Sequence, residues 1–483
     1  MARTTIRSED ITAGQVKAAD LASDAVTAFD DSGLQGDIAL LGFKVASNGS
    51  LSKYDLIDQT IDDFQDAAGI DASASTDELR STTGKYYSGG VSGTGSGGTE
   101  TTYTADGNDY KIHTFLSTGT FTISGGTGNV DALVIGGGGG TGGNDGNNGA
   151  GGGGGGGMRE ISARSMTEAV FAVTVGGSET ASSVAYSSGA GSSFAAISGS
   201  GGGRGGGTTA GSAGGSGGGT GGYGTPAGGS GNAGGYTPSE GNDGGDGSNG
   251  EGSPPCPNRN GGGGGGAGGA GSNAQVTGGS STGNGGSGGA GKANNWRTGV
   301  NVTYAGGGGG SGTNSGGSGG SGGGGNAGSG YGATGTAGTT NLGGGAGGGS
   351  HGTSGQAGGS GIVVLRYIDG AFVAFNDMTL ISNATTAEAV PTKGDLVMTY
   401  TNGAGTATVN TDIKGWASRD NGTTYTQFTL TDEGDTGGHT ILTAHDLDIS
   451  AQPSGSAMRY KVTTHNQSAA KETRIQAVSL GWS

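Results

Sequence analysis

Val130-Asp-Ala-Leu-Val-Ile135 runs without a break into Gly136-Gly-Gly-Gly-Gly140, and far downstream Gly359-Ser-Gly361 runs into Ile362-Val-Val-Leu-Arg-Tyr367. Both apolar runs are rich in β-branched residues and read as strands. Strands therefore bracket a long glycine tract at its two ends. Inside the tract glycine often recurs every third residue, as at Gly241, Gly244, Gly247 and Gly250, at Gly316 through Gly328, and at Gly349 through Gly361. A period of three fits the polyproline-II conformation, with three residues per turn and no internal hydrogen bonds. It fits neither an α-helix nor a strand. Ordering such a tract costs roughly 1–2 kcal/mol of backbone entropy per residue, and few side chains are present to offset it. Two outcomes are open: a disordered Gly/Ser tract, or a lattice of polyglycine-II helices bonded side to side through their backbones. A linker needs no strands clamping its ends, whereas a lattice needs registration on a scaffold, so the lattice is expected.

Further short β runs are Tyr110–Phe115, Gly119–Ile123, Met158–Ile161, Ala169–Val175 and Ser193–Ile197. With the bracketing strands they delimit a β scaffold plus glycine domain over 99–368. Upstream, Ile6, Ile11, Val16, Leu21 and Val26 recur every five residues. That spacing suits neither a straight α-helix nor a heptad seam, so 1–30 reads as an extended segment winding against copies of itself, or as a polar arm with chance spacing. In 31–98, Asp37–Phe43 is a short apolar run. Ile57, Ile61, Phe64 and Ala68 predict an amphipathic helix over 55–68, and Gly89–Gly98 reads as a linker. Residues 369–483 return to ordinary composition. Period-two runs such as Asp395–Tyr400, Ile413–Trp416, Thr424–Leu430, Ala457–Val462 and Arg474–Trp482 predict an antiparallel β-sandwich. The fold class expected is mainly β: a small scaffold carrying the glycine lattice, then the sandwich, with a short extended or helical oligomerisation region at the N-terminal side.

The chain has 483 residues, 124 of them Gly and only 7 Pro. So little Pro excludes a collagen triple helix. A net charge of −17 with 22 Lys+Arg argues against nucleic acid and anionic membranes as partners. Cys256 stands alone, so no intrachain disulfide forms. The first residues carry no secretory signal pattern and no apolar run is long enough to span a bilayer. A soluble protein without membrane insertion is expected, for which an extracellular role would require export by another route, such as cell lysis.

Chemical motifs fare poorly. Gly286-x4-Gly291-Lys292 imitates a phosphate loop, but Ala293 follows the lysine and no strand precedes it. Gly-x-Ser-x-Gly strings, as around Ser287, are expected by chance in such a tract. His113, His351, His439, His445 and His465 have no metal-ligand spacing. The acidic stretch Glu240–Glu251 hints at calcium without a known loop pattern. No cofactor, no metal and no enzymatic activity are expected.

Thr114-Phe-Leu-Ser-Thr-Gly-Thr-Phe-Thr-Ile123, Val130–Gly140 and Gly359–Tyr367 together resemble the glycine-rich domain of bacteriophage tail fibres and adhesins. Gly36–Lys44, Leu56–Phe64, Ser418–Gln427, Thr429–Asp435 and Gln452–Gly455 are similar to segments of marine-phage structural proteins. The resemblance implies a β scaffold carrying a sandwich of polyglycine-II helices whose far-edge loops touch a host receptor. This chain departs from that pattern in its C-terminal sandwich, which competes for the distal tip.

Two interruptions of the glycine tract are candidate binding loops. The first runs from Tyr236-Thr-Pro238 to Pro254-Pro-Cys-Pro-Asn-Arg259, the second from Lys292 to Tyr304. Aromatic and arginine side chains are common anchors at binding surfaces, which singles out Tyr236, Arg259, Asn295, Trp296, Arg297 and Tyr304. The alternative is that Trp296 and Tyr304 pack down to cap the lattice. The function expected is a virion tail protein, a homotrimer binding a host-surface receptor (glycan or outer-membrane protein) and joined to other tail proteins through its N-terminus. An extracellular filament subunit is the structural alternative. A polysaccharide depolymerase would need a carboxylate pair in a groove, and none is visible.

Overall fold

The computed structural model describes residues 32–49, 53–141, 149–178, 187–222, 227–249, 259–277, 282–350 and 352–483. The pentad segment 1–30, the loop 250–258 with Cys256, and His351 lie outside the described residues. The chain divides into two compact units, Ser92–Val373 and a second made of the residues up to Val91 together with Ala374–Ser483. No helix among the described residues is long and apolar enough to cross a membrane.

The scaffold of the first unit is an antiparallel sheet. Its strands lie in the order Ile197–Gly199, Ser192–Phe194, Met158–Thr174, Gly119–Ile135, Ile362–Ile368, Asn108–Phe115 and Thr99–Ala105. The bracketing strands are thus neighbours: Ile362 stands opposite Ile135. The runs expected as separate short strands are instead two continuous strands of 17 residues each. They pair from Ile135/Met158 to Gly119/Val173, interrupted by bulges between Ile161 and Arg164 and between Thr167 and Ala169. Ser124–Asn129 is glycine-rich and reads as a break, but Thr127–Asn129 pair with Ser165–Thr167 and Ser124 with Thr94, while Gly125 and Gly126 take φ of 81° and 75° at the second bulge. The expected linker 89–98 also contributes to the sheet, since Thr94–Ser96 pairs with Ser124–Thr122.

Period-two alternation splits the sheet into two apolar faces. One buries Phe121, Ile123, Val134, Phe194, Leu365 and Phe372. His113 is buried there too. Its Nδ1 donates to the Gly97 carbonyl at 2.8 Å, which leaves Nε2 to accept from the Tyr367 hydroxyl at 3.2 Å. Burial lowers its pKa, so it is a neutral packing group. The other face gathers Ile112, Leu133, Ile135, Ile362 and Val364, with Tyr304 and Ala305.

The glycine tract is ordered into short extended segments that run out from the sheet and back. Segment 149–157 shows the rule. Ala150, Gly153 and Gly156 donate to the carbonyls of Gly349, Ala346 and Gly343; Gly151, Gly154 and Gly157 donate to Gly206, Gly203 and Ser200; Gly152 and Gly155 donate to Gly262 and Gly265. Every third residue thus addresses the same neighbour, as a threefold helix requires. The segment also accepts from three others: Gly139 to Gly154, Gly308 to Gly153, and Gly219 to Gly152. Six neighbours surround it. A methyl built on Gly153 would lie 2.0 Å from the Gly139 carbonyl oxygen, and one on Gly152 2.0 Å from that of Gly308. The Cα–H bonds therefore aim at the carbonyls of the segments that donate back, the arrangement of Cα–H···O contacts. A net hydrogen bond contributes about 0.5–1.5 kcal/mol and a Cα–H···O contact about 0.5–1 kcal/mol, matching the backbone entropy per residue in size.

Glycine content follows the number of neighbours. Unbroken glycine runs at 151–157, 261–266 and 306–310 are wholly buried. In 315–321 every third residue is an exposed Ser, at Ser315, Ser318 and Ser321, and the glycines between them pack. The apparent long period over Gly316–Gly328 in fact spans two segments, because Gly322 and Gly323 take φ of 92° and 94° and turn the chain. Outer backbone donors are closed by side chains: Asp243 Oδ1 accepts from Gly231 at 2.7 Å and Asp246 Oδ1 from Gly228 at 2.8 Å.

The second unit is an antiparallel sandwich. One sheet orders Lys53–Leu56, Gln59–Asp62, Glu472–Trp482, Lys393–Ala404, His439–Asp448 and Thr431–Thr436, with the hairpin Glu78–Ser81/Tyr86–Gly89 beside Glu472–Trp482. The other orders Thr379–Ile381, Ala457–Thr464, Ile413–Ser418 and Thr426–Gln427. Leu396, Met398, Phe428, Leu442, Tyr460, Val462, Val478 and Leu480 fill the space between. The region 53–91 is therefore built into the C-terminal sandwich rather than standing as a connector. The helix expected at 55–68 is a hairpin, Lys53–Leu56 with Gln59–Asp62. Thr60 bonds Asp55 across it at 2.7 Å, and the open edge of Glu472–Trp482 captures its second strand. The helix of this unit lies earlier, at Ser32–Gly49. Its Ala39 and Phe43 pack on Ile61, Val397, Ile441 and Ala477.

Candidate binding surfaces of the glycine-rich unit

Because the segments alternate in direction, their connections sort into two ends. The sheet end is marked by Ile135/Met158 and by the bonds Gly136 to Gly157, Met158 to Glu240, Ala305 to Leu342 and Gly306 to Gly322. The far end is marked by Gly149 to Arg259, Gly222 to Gly149, Gly261 to Ser311 and Ser350 to Ala333. Described turns at the far end are Gly207–Ala210, Thr313–Asn314 and Gly330–Gly332, and the chain leaves the described residues there at 141, 222, 249, 277 and 350.

The far end is held by a polar knot. Asn260 is fully buried. Its Oδ1 accepts from the Thr313 amide at 2.9 Å and from its hydroxyl at 3.2 Å, and its Nδ2 donates to Ser248 at 3.2 Å. Asn314 donates to Asn284 at 2.8 Å. Tyr331 is 56% exposed at a turn with positive-φ glycines on both sides.

The hairpin Lys292–Asn294/Val302–Tyr304 lies at the sheet end. Lys292 pairs with Glu160, whose other oxygen accepts from Asn294 at 2.8 Å. Asn294 Oδ1 then accepts from the Trp296 amide at 2.8 Å, and Gly299 donates to the Asn295 carbonyl at 2.9 Å, so residues 294–299 form a closed turn. Arg366 underlies it. It binds Asp131 at 2.6 and 3.0 Å and Tyr103 at 2.9 Å, and its guanidinium lies 4.5 Å from the Tyr110 ring centre and 5.2 Å from that of Trp296. Burial works against the Arg366 charge, but Tyr103 and Asp131 outweigh it and its pKa rises.

A family profile described as a glycine-rich domain matches residues 113–368, more than half of the chain. The chain belongs to this glycine-rich domain family. No curated protein matches it.

Within the glycine-rich domain the six candidate residues do not converge. Five lie at the sheet end. Tyr236 stacks under Arg159, 3.6 Å from the ring centre to the guanidinium carbon. Beside it the buried Glu240 accepts from Ser200 at 2.8 Å and Gly234 at 3.0 Å. Asn295 is exposed, Arg297 half-buried, and Trp296 half-buried against the sheet cluster. Tyr304 is 0% exposed, which corrects its place among the contact residues: it caps the lattice. Its hydroxyl has no hydrogen-bond partner of ordinary geometry; burial raises its pKa and the facing Arg297 partly offsets this. Only Arg259 stands at the far end. Of the carboxylates read as a calcium hint, Glu240, Asp243 and Asp246 accept from backbone amides, and Glu251 lies outside the described residues. Sequence reasoning missed Glu160, Asp131 and Arg366, which hold the hairpin, and Asn260, Thr313 and Tyr331 at the far end. The missed signal was the alternation itself: counting segments outward and back from Ile135 assigns 292–304 to the sheet end.

Proposed function

We propose that the protein is a bacteriophage tail fibre or receptor-binding protein, a virion adhesin acting as a homotrimer. It would bind a host-surface glycan or outer-membrane protein by many weak contacts, which sum to avidity without covalent chemistry. Its N-terminal region would join it to other tail proteins. The observation that best supports this reading is the division of labour in the glycine-rich domain. Backbone holds the interior, so side chains are concentrated in the turns, and at the far end Tyr331 is 56% exposed beside the Asn260–Thr313 knot. The resemblance of Thr114–Ile123, Val130–Gly140 and Gly359–Tyr367 to phage adhesin domains points the same way.

The test is binding of fluorescently labelled full chain to a panel of bacterial strains. Saturable binding to at least one strain is expected, with binding reduced by Tyr331→Asp at the far end and retained in Ser318→Ala on a lattice side face. Binding to no strain, together with assembly of the purified chain into open fibres, would replace the adhesin with the filament subunit.

A further inference from the structure

The edge strand Thr99–Ala105 pairs only with Asn108–Phe115 among the described strands. Thr99 stands opposite Thr114, Thr101 opposite Ile112, and Tyr103 opposite Tyr110. These six therefore share one face, the face that carries Leu133 and Val364. The hairpin 292–304 covers only part of that face. The Tyr103 hydroxyl donates to the Trp296 carbonyl at 3.3 Å. Beyond Tyr103 the face lies open, and a groove of about 320 Å³ runs between it and the turn, lined by Thr99, Thr101, Thr114, Leu116, Arg297 and Thr298.

The chemistry of this groove is incomplete. The hydroxyls of Thr99, Thr101 and Thr114 make no hydrogen bond to described residues, and Arg297, which faces the neutral Tyr304 hydroxyl, forms no ion pair with a described carboxylate. Arg297 does not owe its position to chance, because residues 294–299 form the closed turn tied to Glu160. An arginine on a fixed turn, with no acid beside it, in a chain of net charge −17, offers a fork for a carboxylate from outside. Three threonine hydroxyls offer both donors and acceptors. Leu116, 43% exposed, supplies an apolar patch for a ring's C–H face. A phosphate would call for several cations or a nest of backbone amides, and only one cation lines the groove. The volume is at the small end of ligand pockets, which span about 300–1,000 Å³.

We propose that this groove binds a carboxylate-bearing saccharide of the uronic-acid type, with Arg297 holding the carboxylate and Thr99, Thr101 and Thr114 the ring hydroxyls. The role at a cell surface rests on the adhesin reading; the binding itself is tested apart from it.

Full chain is titrated calorimetrically with tetragalacturonate, with neutral maltotetraose and inorganic phosphate as parallel probes. Saturable binding of tetragalacturonate alone is expected. Arg297→Lys should weaken it several-fold, Arg297→Ala at least tenfold, and Thr101→Glu, at an exposed position, should abolish it by pairing with Arg297. Unchanged thermal transitions establish that the variants are folded. No binding of tetragalacturonate, equal binding by Arg297→Ala, or equal affinity for phosphate overturns the proposal. Cell binding by the wild type without saccharide binding overturns the groove alone. Saccharide binding without cell binding upholds the groove and overturns the adhesin.

Discussion

Gly153→Ala should destabilise the glycine-rich domain far more than alanine substitutions at its surface. The added methyl would sit 2.0 Å from the Gly139 carbonyl oxygen, with the Ala346 amide nitrogen at 3.0 Å behind it. No rotamer relieves this, because every neighbour is backbone. Segments 136–141 and 149–157 must part by roughly 1 Å, and overpacking of that kind costs about 1–3 kcal/mol. Two cross-segment bonds are strained with it: Gly139 to Gly154, which joins the parting segments, and Gly153 to Ala346, both 2.8 Å. Each contributes about 1 kcal/mol net. Alanine also lowers the entropy of the unfolded chain, returning about 0.4–1 kcal/mol. The net loss is roughly 2–5 kcal/mol, a fall in Tm on the order of 5–10 °C for a domain of this size. Ser318→Ala, on an outward face, should stay within about 0.5 kcal/mol. Urea unfolding combined with amide exchange over 150–157 measures both. A Gly153→Ala protein indistinguishable from Ser318→Ala, or fast exchange of these amides in the wild type, would refute the lattice.

Asp62 is buried, accepts from Tyr460 at 3.0 Å and from the Phe64 amide at 3.2 Å, and burial pushes its pKa from 3.8 to about 7. The unfolded chain therefore releases this proton first, so the sandwich unit should lose stability as pH rises from about 4 to 7, by up to about 4 kcal/mol. Asp71 and Asp412 are held at about 2 and set the opposite, acid limb below pH 4; urea unfolding from pH 3 to 8 should show a maximum near pH 4–5, and Asp62→Asn should flatten the upper limb. Arg366→Ala leaves Asp131 without its ion-pair partner and should cost roughly 3 kcal/mol, with a red shift of Trp296 fluorescence as the hairpin loosens. Asn260→Ala frees the Thr313 amide at the far end and should cost about 1–3 kcal/mol, read as faster exchange at Thr313 and Asn314 with no change at Gly153.

The architecture was legible where backbone chemistry alone decides it. Ile135 and Ile362, each joined to glycine, announced a clamped tract, and they stand directly opposite each other in the sheet. What misled were patterns whose meaning depends on a partner strand. Ile57, Ile61 and Phe64 fit a helical stripe, yet Ile57 is 70% exposed in a turn while Ile61 and Phe64 are buried on the sheet and in its core. Nothing in residues 55–68 reveals that Glu472–Trp482, four hundred residues on, leaves an edge to fill. Ser124–Asn129 likewise reads as a break unless its partner Ser165–Thr167 is known. A consequence follows for truncation: removing 371–483 also strands 53–62 and 78–89, so the sandwich can be deleted cleanly only with both of its pieces.

Five of the six candidate residues stand at the sheet end for a reason that the lattice itself supplies. Turns at the sheet end abut an apolar face and must cover it, so they carry side chains able to pack. Trp296, Tyr304 and Leu342 do this over Ile112, Leu133 and Val364, and Tyr236 does it under Arg159. Turns at the far end abut only the ends of other glycine segments, whose need is for hydrogen bonds, so Asn260, Thr313 and Asn314 serve there. Aromatic residues in a glycine tract thus mark proximity to the scaffold more than contact with a receptor. Tyr331 is the informative exception. It is an aromatic at the far end, with over half its surface exposed, where the lattice has no apolar face for it to cover. On the adhesin reading it is a side chain whose replacement should be felt by a partner.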